Sequence, residues 1–256
     1  MGFWSSVKSG FKKIGEGVKE IYHAVKEKGK EICERVTERV QVWTDRAERA
    51  FDKAKTYVKE KIHEYKVKKK HPGYVPTKPD QVSAREAKRY LDNKFPHGIK
   101  ESMKHTTSEG RVKAIKEVVS EASRILDVNI NRVELFESTR ETGNVCGFYN
   151  RNDNTLHINA YMLMNDRTEL AQEQIYTVFH ELIHARQWAA VTGKKDYGYS
   201  PETLLEWANN FNNYIPCTES DEAYRKQPLE RDAFGFEAII KGEFSIEDFI
   251  KYNSKK

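Results

Sequence analysis

Two histidines and a glutamate at a fixed spacing offer the clearest chemistry in this chain. They form His180-Glu181-Leu182-Ile183-His184, inside the stretch Phe179 to Gln187. On a helix, a four-residue step sets both imidazoles on one face, one turn apart, where they can share a metal ion. The Glu beside the first ring then reaches a water on that metal. The pattern predicts a hydrolytic zinc centre with His180 and His184 as ligands and Glu181 as the proton acceptor. Such a short motif recurs by chance, so its surroundings must decide. Asp166-Arg167-Thr168-Glu169 reads as an N-cap with a capping-box Glu. Leu170, Ile175, Val178, Phe179, Leu182, Ala185 and Ala189 keep helical spacing, and Gly193 suits the C-terminal stop. With Ile183 and Trp188 also apolar, little of this helix is left for water, and the expectation is a buried central helix. Polar groups buried without partners cost about 1–3 kcal/mol each. A metal supplies those partners; core histidines bonded to backbone carbonyls are the competing explanation.

Catalytic zinc takes three protein ligands and keeps one position for water. The extended form His-Glu-x-x-His-x-x-Gly-x-x-His is excluded, because Gln187 stands at the Gly position and Ala190 at the third His. No histidine follows His184, so a downstream third ligand is Glu or Asp. Glu202 and Glu206 are nearest, yet Ser200-Pro201-Glu202 reads as N-cap, Pro at the first helical position and a dipole-matching acid. Leu204, Leu205, Ala208 and Phe211 then form the buried stripe, with Glu202, Glu206, Asn209, Asn210 and Asn213 facing solvent. A later helix, Gln227 to Ile240 closed by Gly242, places Glu230 on one face with Phe234 and beside the small Ala233, with Glu237 two turns on. Glu230 is the expected third ligand; Glu202, Glu206 and Glu237 are the alternatives, and a simple first-turn acid is the structural explanation of Glu230.

The elements that must position these groups can be read around them. Ser83-Ala84-Arg85-Glu86 reads as a capping box opening a helix to about Phe95, and a second helix is expected over 109–127. The period then changes to that of strands at Arg132–Phe136, Val145–Tyr149 and Thr155–Ala160, the last two joined by the turn formers 150–154. The expectation is an α+β domain over 80–256; a short sheet followed by the His-Glu helix is similar to the order in zinc-peptidase folds, and that resemblance implies 155–160 as an exposed edge able to pair with an extended substrate. His157 on that strand reads as a cross-strand polar residue. Tyr224, Tyr161 and His157 are the candidates for holding an oxyanion.

The first seventy residues differ in character. They hold 19 Lys/Arg and 11 Asp/Glu, a net of +8, against 25 and 28, a net of −3, in the remaining 186, so the pI of about 8.8 belongs to this segment. Apolar residues recur there on an eleven-residue step: Val7, Val18, Val40, Phe51, Ile62; Ile14, Val25, Val36, Ala47, Val58; and Ile21, Ile32, Trp43, Ala54, Tyr65. At about 3.67 residues per turn the stripe stays on one side of a long amphipathic helix, or of a hairpin if Gly29 breaks it. It suits a helical partner, a lipid surface beside snorkelling lysines, or a docking or delivery machine. Nucleic acid is not expected, since Lys and Glu alternate, as in Lys59-Glu60-Lys61. Residues 71–79, with Pro72, Pro76 and Pro79, read as an extended linker. Cys33, Cys146 and Cys217 are few and scattered, which fits free thiols in a reducing compartment. The start carries no secretory signal and no apolar run long enough to span a membrane. It matches a loose Met-Gly-x-x-x-Ser acylation pattern that Phe3 fits poorly.

His180-Glu181-x-x-His184 followed by Glu230-Arg231-Asp232-Ala233 resembles compact gluzincin-type metallopeptidases, including domains in ImmA/IrrE-like regulators and in bacterial polymorphic-toxin and phage-associated proteins. The resemblance covers roughly 130–241 and leaves the arm outside; the thermolysin-type Asn-Glu-x-x-x-Asp is absent. It implies a zincin-like domain, with a small, mostly antiparallel sheet, an active-site helix and C-terminal helices, that hydrolyses a protein or peptide substrate using Zn2+. The arm, residues 1–70, would direct it to a membrane surface or helical partner, as in a bacterial effector or toxin. Such a protein would be cytoplasmic in the producing cell and delivered without a signal peptide. The alternative is a non-enzymatic binding protein whose zinc is structural.

Overall fold

The computed structural model describes residues 9–10, 12–13, 15–16, 30–139, 145–164 and 166–254, with backbone only for 30–40. The chain divides into two units, residues 1–63 and 64–256. Helix α1 (Lys30–Lys70) is 41 residues long. Trp43, Phe51 and Ile62 of the eleven-residue stripe lie 68%, 49% and 52% exposed, so the stripe is uncovered there. The stripe before residue 30 and the expected break at Gly29 fall outside the described residues. Among the described residues no helix is long and apolar enough to cross a membrane.

The second unit begins inside α1, with Val67 buried in its core. The expected linker 71–79 is packed as well. Tyr74 is 2% exposed and edge-on to Phe249 at 5.0 Å, and Asn253 Nδ2 donates to the carbonyls of His71 and Tyr74. Prolines here turn the chain onto the core instead of spacing it from the core.

Helices α2 (Lys78–Lys94), α3 (Ile99–Lys104) and α4 (Ser108–Leu126) follow. The cap of α2 is Thr77 with Asp80, each side chain taking the other's backbone N–H, six residues ahead of the expected box at Ser83. Ser83 is buried, and its Oγ accepts from Arg186 Nη1 at 3.1 Å. A hydroxyl committed to a buried guanidinium is not free to cap.

Three strands come next: β1 (Arg132–Phe136), β2 (Gly147–Asn150) and β3 (Thr155–Asn159), in the order β1-β3-β2. β1 pairs with β3 in parallel and β2 pairs with β3 antiparallel, so the sheet is mixed, not mostly antiparallel. β3 is therefore the central strand. This corrects the expectation of a free edge at 155–160. Four of its five residues are buried, as a strand flanked on both sides requires. The edges are β1 and β2.

After the short α5 (Ala160–Met164), the His-Glu motif lies on α6 (Thr168–Val191), which packs against α3, α4, α5, β2 and β3 and the C-terminal helices. Thirteen of its residues are buried, from Ala171 to Ala190. Its N-cap is Arg167 without a side-chain bond, so the expected Asp166 capping box is not formed; Asp166 stands one residue too early. Four helices complete the fold: α7 (Pro201–Asn212), α8 (Asp221–Lys226), α9 (Pro228–Ile240) and α10 (Ile246–Asn253). On α7 the buried residues are Trp207 and Asn210, while Leu205 is 63% exposed, so the stripe is rotated from the expected one. The coarse α+β reading holds, with helices dominating. Gly235 on α9 lets this helix approach, since a Cβ there would lie 2.0 Å from Tyr74 Cδ1.

His71 gives the core a measurable pH dependence. Its ring packs edge-on to Phe244 and Phe249 at 5.7 Å, and burial above all lowers its pKa to about 4. Between pH 6.5 and 4 the unfolded chain binds a proton that the folded chain refuses. This contribution to stability is therefore whole above pH 6.5 and lost as pH falls through about 4. Urea unfolding should weaken by an amount of the order of 2 kcal/mol across that window, allowing for partial exposure. His71→Phe should flatten the curve there; an unchanged slope would contradict this.

Candidate metal centre

The motif helix does what its spacing requires. His180 and His184 project from one side of α6, their ring centroids 4.9 Å apart, and α9 brings Glu230 against both. Glu230 Oε2 lies 3.1 Å from His180 Nε2, and Oε1 lies 3.2 Å from His184 Nε2. One ligand atom from each of the three residues falls within 4.8 Å of the others. Glu230 is 1% exposed and His180 5%, so the acceptors and rings meet out of bulk water.

Each ring is turned by a partner on its other nitrogen. His180 Nδ1 lies 3.0 Å from Glu237 Oε2, and Glu237 is itself paired with Lys241 at 2.6 Å. His184 Nδ1 lies 2.8 Å from Gln187 Oε1; the amide is oriented by Gln187 Nε2 donating to the Leu229 carbonyl. Both partners are acceptors, so each Nδ1 donates and each Nε2 faces Glu230. This is the second-layer arrangement that fixes the tautomer of metal-ligating histidines. Phe234 seals the other side of His180, edge-on at 4.5 Å.

Glu230 is held by the start of α9. The Asn210 side chain accepts from the Leu229 backbone N–H at 3.0 Å and donates to Gln227 Oε1, and the Gln227 amide ties down the Ile215 backbone. Asn210, expected to face solvent, thus caps the helix that carries Glu230. The Tyr214 hydroxyl donates to Glu230 Oε1 at 2.5 Å, an interaction absent from the sequence expectations. Tyr214 is set in irregular chain after α7, where no periodicity marks it.

Electrostatics follow from this packing. Burial alone would lower the His180 pKa, but hydrogen bonds to Glu230 and Glu237 outweigh it and hold the imidazolium well above its ordinary range. Burial would likewise raise Glu230, yet the two imidazoles beside it keep the carboxylate ionised. Burial, opposed by the imidazoles, pushes the Glu181 carboxyl up. With its imidazoles neutral the group offers two ring nitrogens and one negative carboxylate, a donor set that could hold a divalent cation such as zinc in place of the protons on the two Nε2 atoms. The residues present fit such an ion.

The alternatives fall elsewhere. Glu206 takes both nitrogens of Arg231, at 3.2 and 3.0 Å, and Glu202 is exposed at the start of α7. Glu237 belongs to the centre through His180 Nδ1 and not as a member of the three-residue group. Asp232 accepts from Trp207 Nε1 at 2.8 Å and so joins α9 to α7. His157 stacks on Phe148 at 4.2 Å and lies 3.7 Å from Glu134, apart from the three. Tyr161 is 41% exposed on α5. Cys146 and Cys217 form no disulfide and are not members of the group; the Cys33 side chain falls outside the described residues.

Glu181 bonds to the sheet and not to the ring partners. Its Oε2 accepts the Tyr149 backbone N–H at 2.9 Å, on the outer side of edge strand β2. It also lines a cavity of about 480 Å³ with His184, Glu230, Tyr214, Tyr224 and the β2 residues. Of the three oxyanion candidates, Tyr224 is the one in this cavity. Burial, and then Glu230, push the Tyr224 and Tyr214 hydroxyls far up, so both stay protonated donors. No family model matches the chain, and comparison with curated proteins and with solved structures gives no significant match.

The geometry predicts one tightly bound divalent ion per chain. In zinc competition titrations, His180→Ala, His184→Ala and Glu230→Gln should each abolish stoichiometric binding. Glu237→Gln should weaken it about 10- to 100-fold. Glu202→Gln and Glu206→Gln should leave it unchanged; a loss at Glu206 would contradict the assignment of Glu230.

Proposed function

We propose that residues 64–256 form a zincin-like, zinc-dependent peptidase, with His180, His184 and Glu230 holding the ion and Glu181 acting as general base. The observation that carries this reading is the pairing of a three-residue ligand group with a carboxylate that shares its open cavity. A structural site would be expected to close with a fourth protein ligand. Instead Glu237 supports a ring from behind and His157 lies elsewhere, which favours catalysis over the non-enzymatic alternative. Zinc, when bound, supplies a Lewis acid that acidifies water and polarises a carbonyl. Glu181, held by the Tyr149 N–H, takes the proton of the attacking water and returns it to the leaving amine. The Tyr224 hydroxyl, which lines the same cavity, would donate to the oxygen that gains charge, and Tyr214 donates to Glu230 Oε1.

The arm is proposed to direct this activity to a membrane surface or a helical partner, as in a bacterial effector or toxin. Its support is the exposed stripe at Trp43, Phe51 and Ile62 beside a lysine-rich face. Nucleic acid is not a proposed partner.

Peptide cleavage by the zinc-loaded full chain tests the reading. Glu181→Gln should retain its zinc and lose about 10²- to 10⁴-fold in turnover, whereas His180→Ala should lose both ion and turnover. Undiminished cleavage by purified, zinc-replete Glu181→Gln protein would refute the role of that carboxylate.

A further inference from the structure

Among the described residues, the cavity beside the three-residue group contains one oriented cation, and its partners there include no acid. Arg151, in the turn from β2 to β3, is exposed and is the only Lys or Arg among the lining residues. Its guanidinium lies 5.0 Å from the Trp188 ring centre and 5.5 Å from that of Phe211, rings that are themselves edge-on at 5.1 Å. Its Nη1 donates to the Phe211 carbonyl at 3.2 Å. These described partners are two rings and a carbonyl; none is a carboxylate. Exposed arginines ordinarily sample many rotamers, and this one is held at a stated orientation by two aromatic faces and a backbone acceptor. A guanidinium has five N–H donors in a planar fork that matches a carboxylate two bonds at a time, and one nitrogen is engaged here.

The acids of the cavity are already committed. Glu230 serves both imidazoles and Tyr214, and Glu181 is bonded to Tyr149 N–H. Neither neutralises Arg151 through a direct bond. The remaining wall is mostly aromatic, from Phe148, Tyr149, Phe211, Tyr214 and Tyr224. A chain segment entering this space meets apolar walls and one oriented positive fork.

We propose that the cleft selects peptides carrying a carboxylate close to the scissile bond, and that Arg151 is the residue that reads it. This rests on the peptidase reading of the site. The carboxylate has two sources, an Asp or Glu side chain within the substrate or the free C-terminus of a short peptide, and both present the same group to the fork. Arg151 is a specificity residue; Trp188 and Phe211 position it.

The test measures binding separately from turnover. Zinc-loaded full-length protein carrying Glu181→Gln is titrated calorimetrically with blocked alanine hexapeptides. One set has a single Glu at each position in turn, a second has Gln instead, and an all-alanine pair ends in a free acid or an amide. A Glu peptide or the free acid should bind at least 10-fold more tightly than its Gln or amide counterpart, and which of the two does so identifies the source. Adding Arg151→Gln should erase the difference while zinc content stays at one ion, and Arg151→Lys should retain part of it. Equal binding of charged and neutral peptides, including no binding of either, overturns the proposal, as does a preference that survives Arg151→Gln. Carboxylate-dependent binding with no cleavage by the zinc-loaded wild-type chain would remove the peptidase reading and leave the role of Arg151 standing. Cleavage without discrimination would do the reverse.

Discussion

A nearly fully buried carboxylate placed between two imidazoles is the interaction on which the rest of the second unit depends. An ionised carboxylate taken out of water costs several kcal/mol unless it is paired and hydrogen-bonded. Glu230 meets that condition with His180, His184 and the Tyr214 hydroxyl. The demand propagates outward. α9 must start at a set place, which Asn210 and Gln227 secure, and it must lie close to its neighbours, which Ala233 and the missing Cβ of Gly235 permit. α6 must be buried deeply enough to present both rings, which its apolar residues ensure on nearly every side.

The surroundings of this centre are unequal on its two sides, and that inequality is what the proposed catalytic role draws on. Behind the rings lies a closed polar layer. Glu237 with Lys241 and Glu173 orients His180, and Gln187 with the Leu229 carbonyl orients His184. In front is the open cavity, with Glu181, two tyrosine hydroxyls and the outer side of β2. Rigid groups behind and space in front suit a site in which the protein's dipoles stay fixed while a substrate comes and goes.

Much of this is legible in the sequence. The motif helix announced itself through a long 3.6-residue period, and Glu230 was separable from Glu206 because it shares a face with Phe234 and borders Ala233. What escaped was information that depends on tertiary pairing. The central place of β3 follows from a parallel partner, β1, that strand periodicity does not reveal. The Thr77–Asp80 cap lies at the end of a proline-rich stretch that reads as linker, and only the packing of Tyr74 makes that stretch part of the core. Asn210 looked like one more polar residue on a solvated face; its partner, the Leu229 N–H, is 19 residues away. Tyr214 lay in irregular chain with no pattern to single it out. Glu237 was correctly placed on the face of Glu230, yet only the ring orientation of His180 shows that it supports a ligand instead of acting as one.

The most direct measurement is the X-ray absorption spectrum of the zinc-loaded, full-length protein at the zinc edge. The account predicts nitrogen and oxygen neighbours only, at about 2.0–2.2 Å, with scattering from two imidazoles and the remaining positions filled by oxygen. A sulfur shell near about 2.3 Å, a third imidazole, or a protein that retains no zinc after dialysis would contradict it.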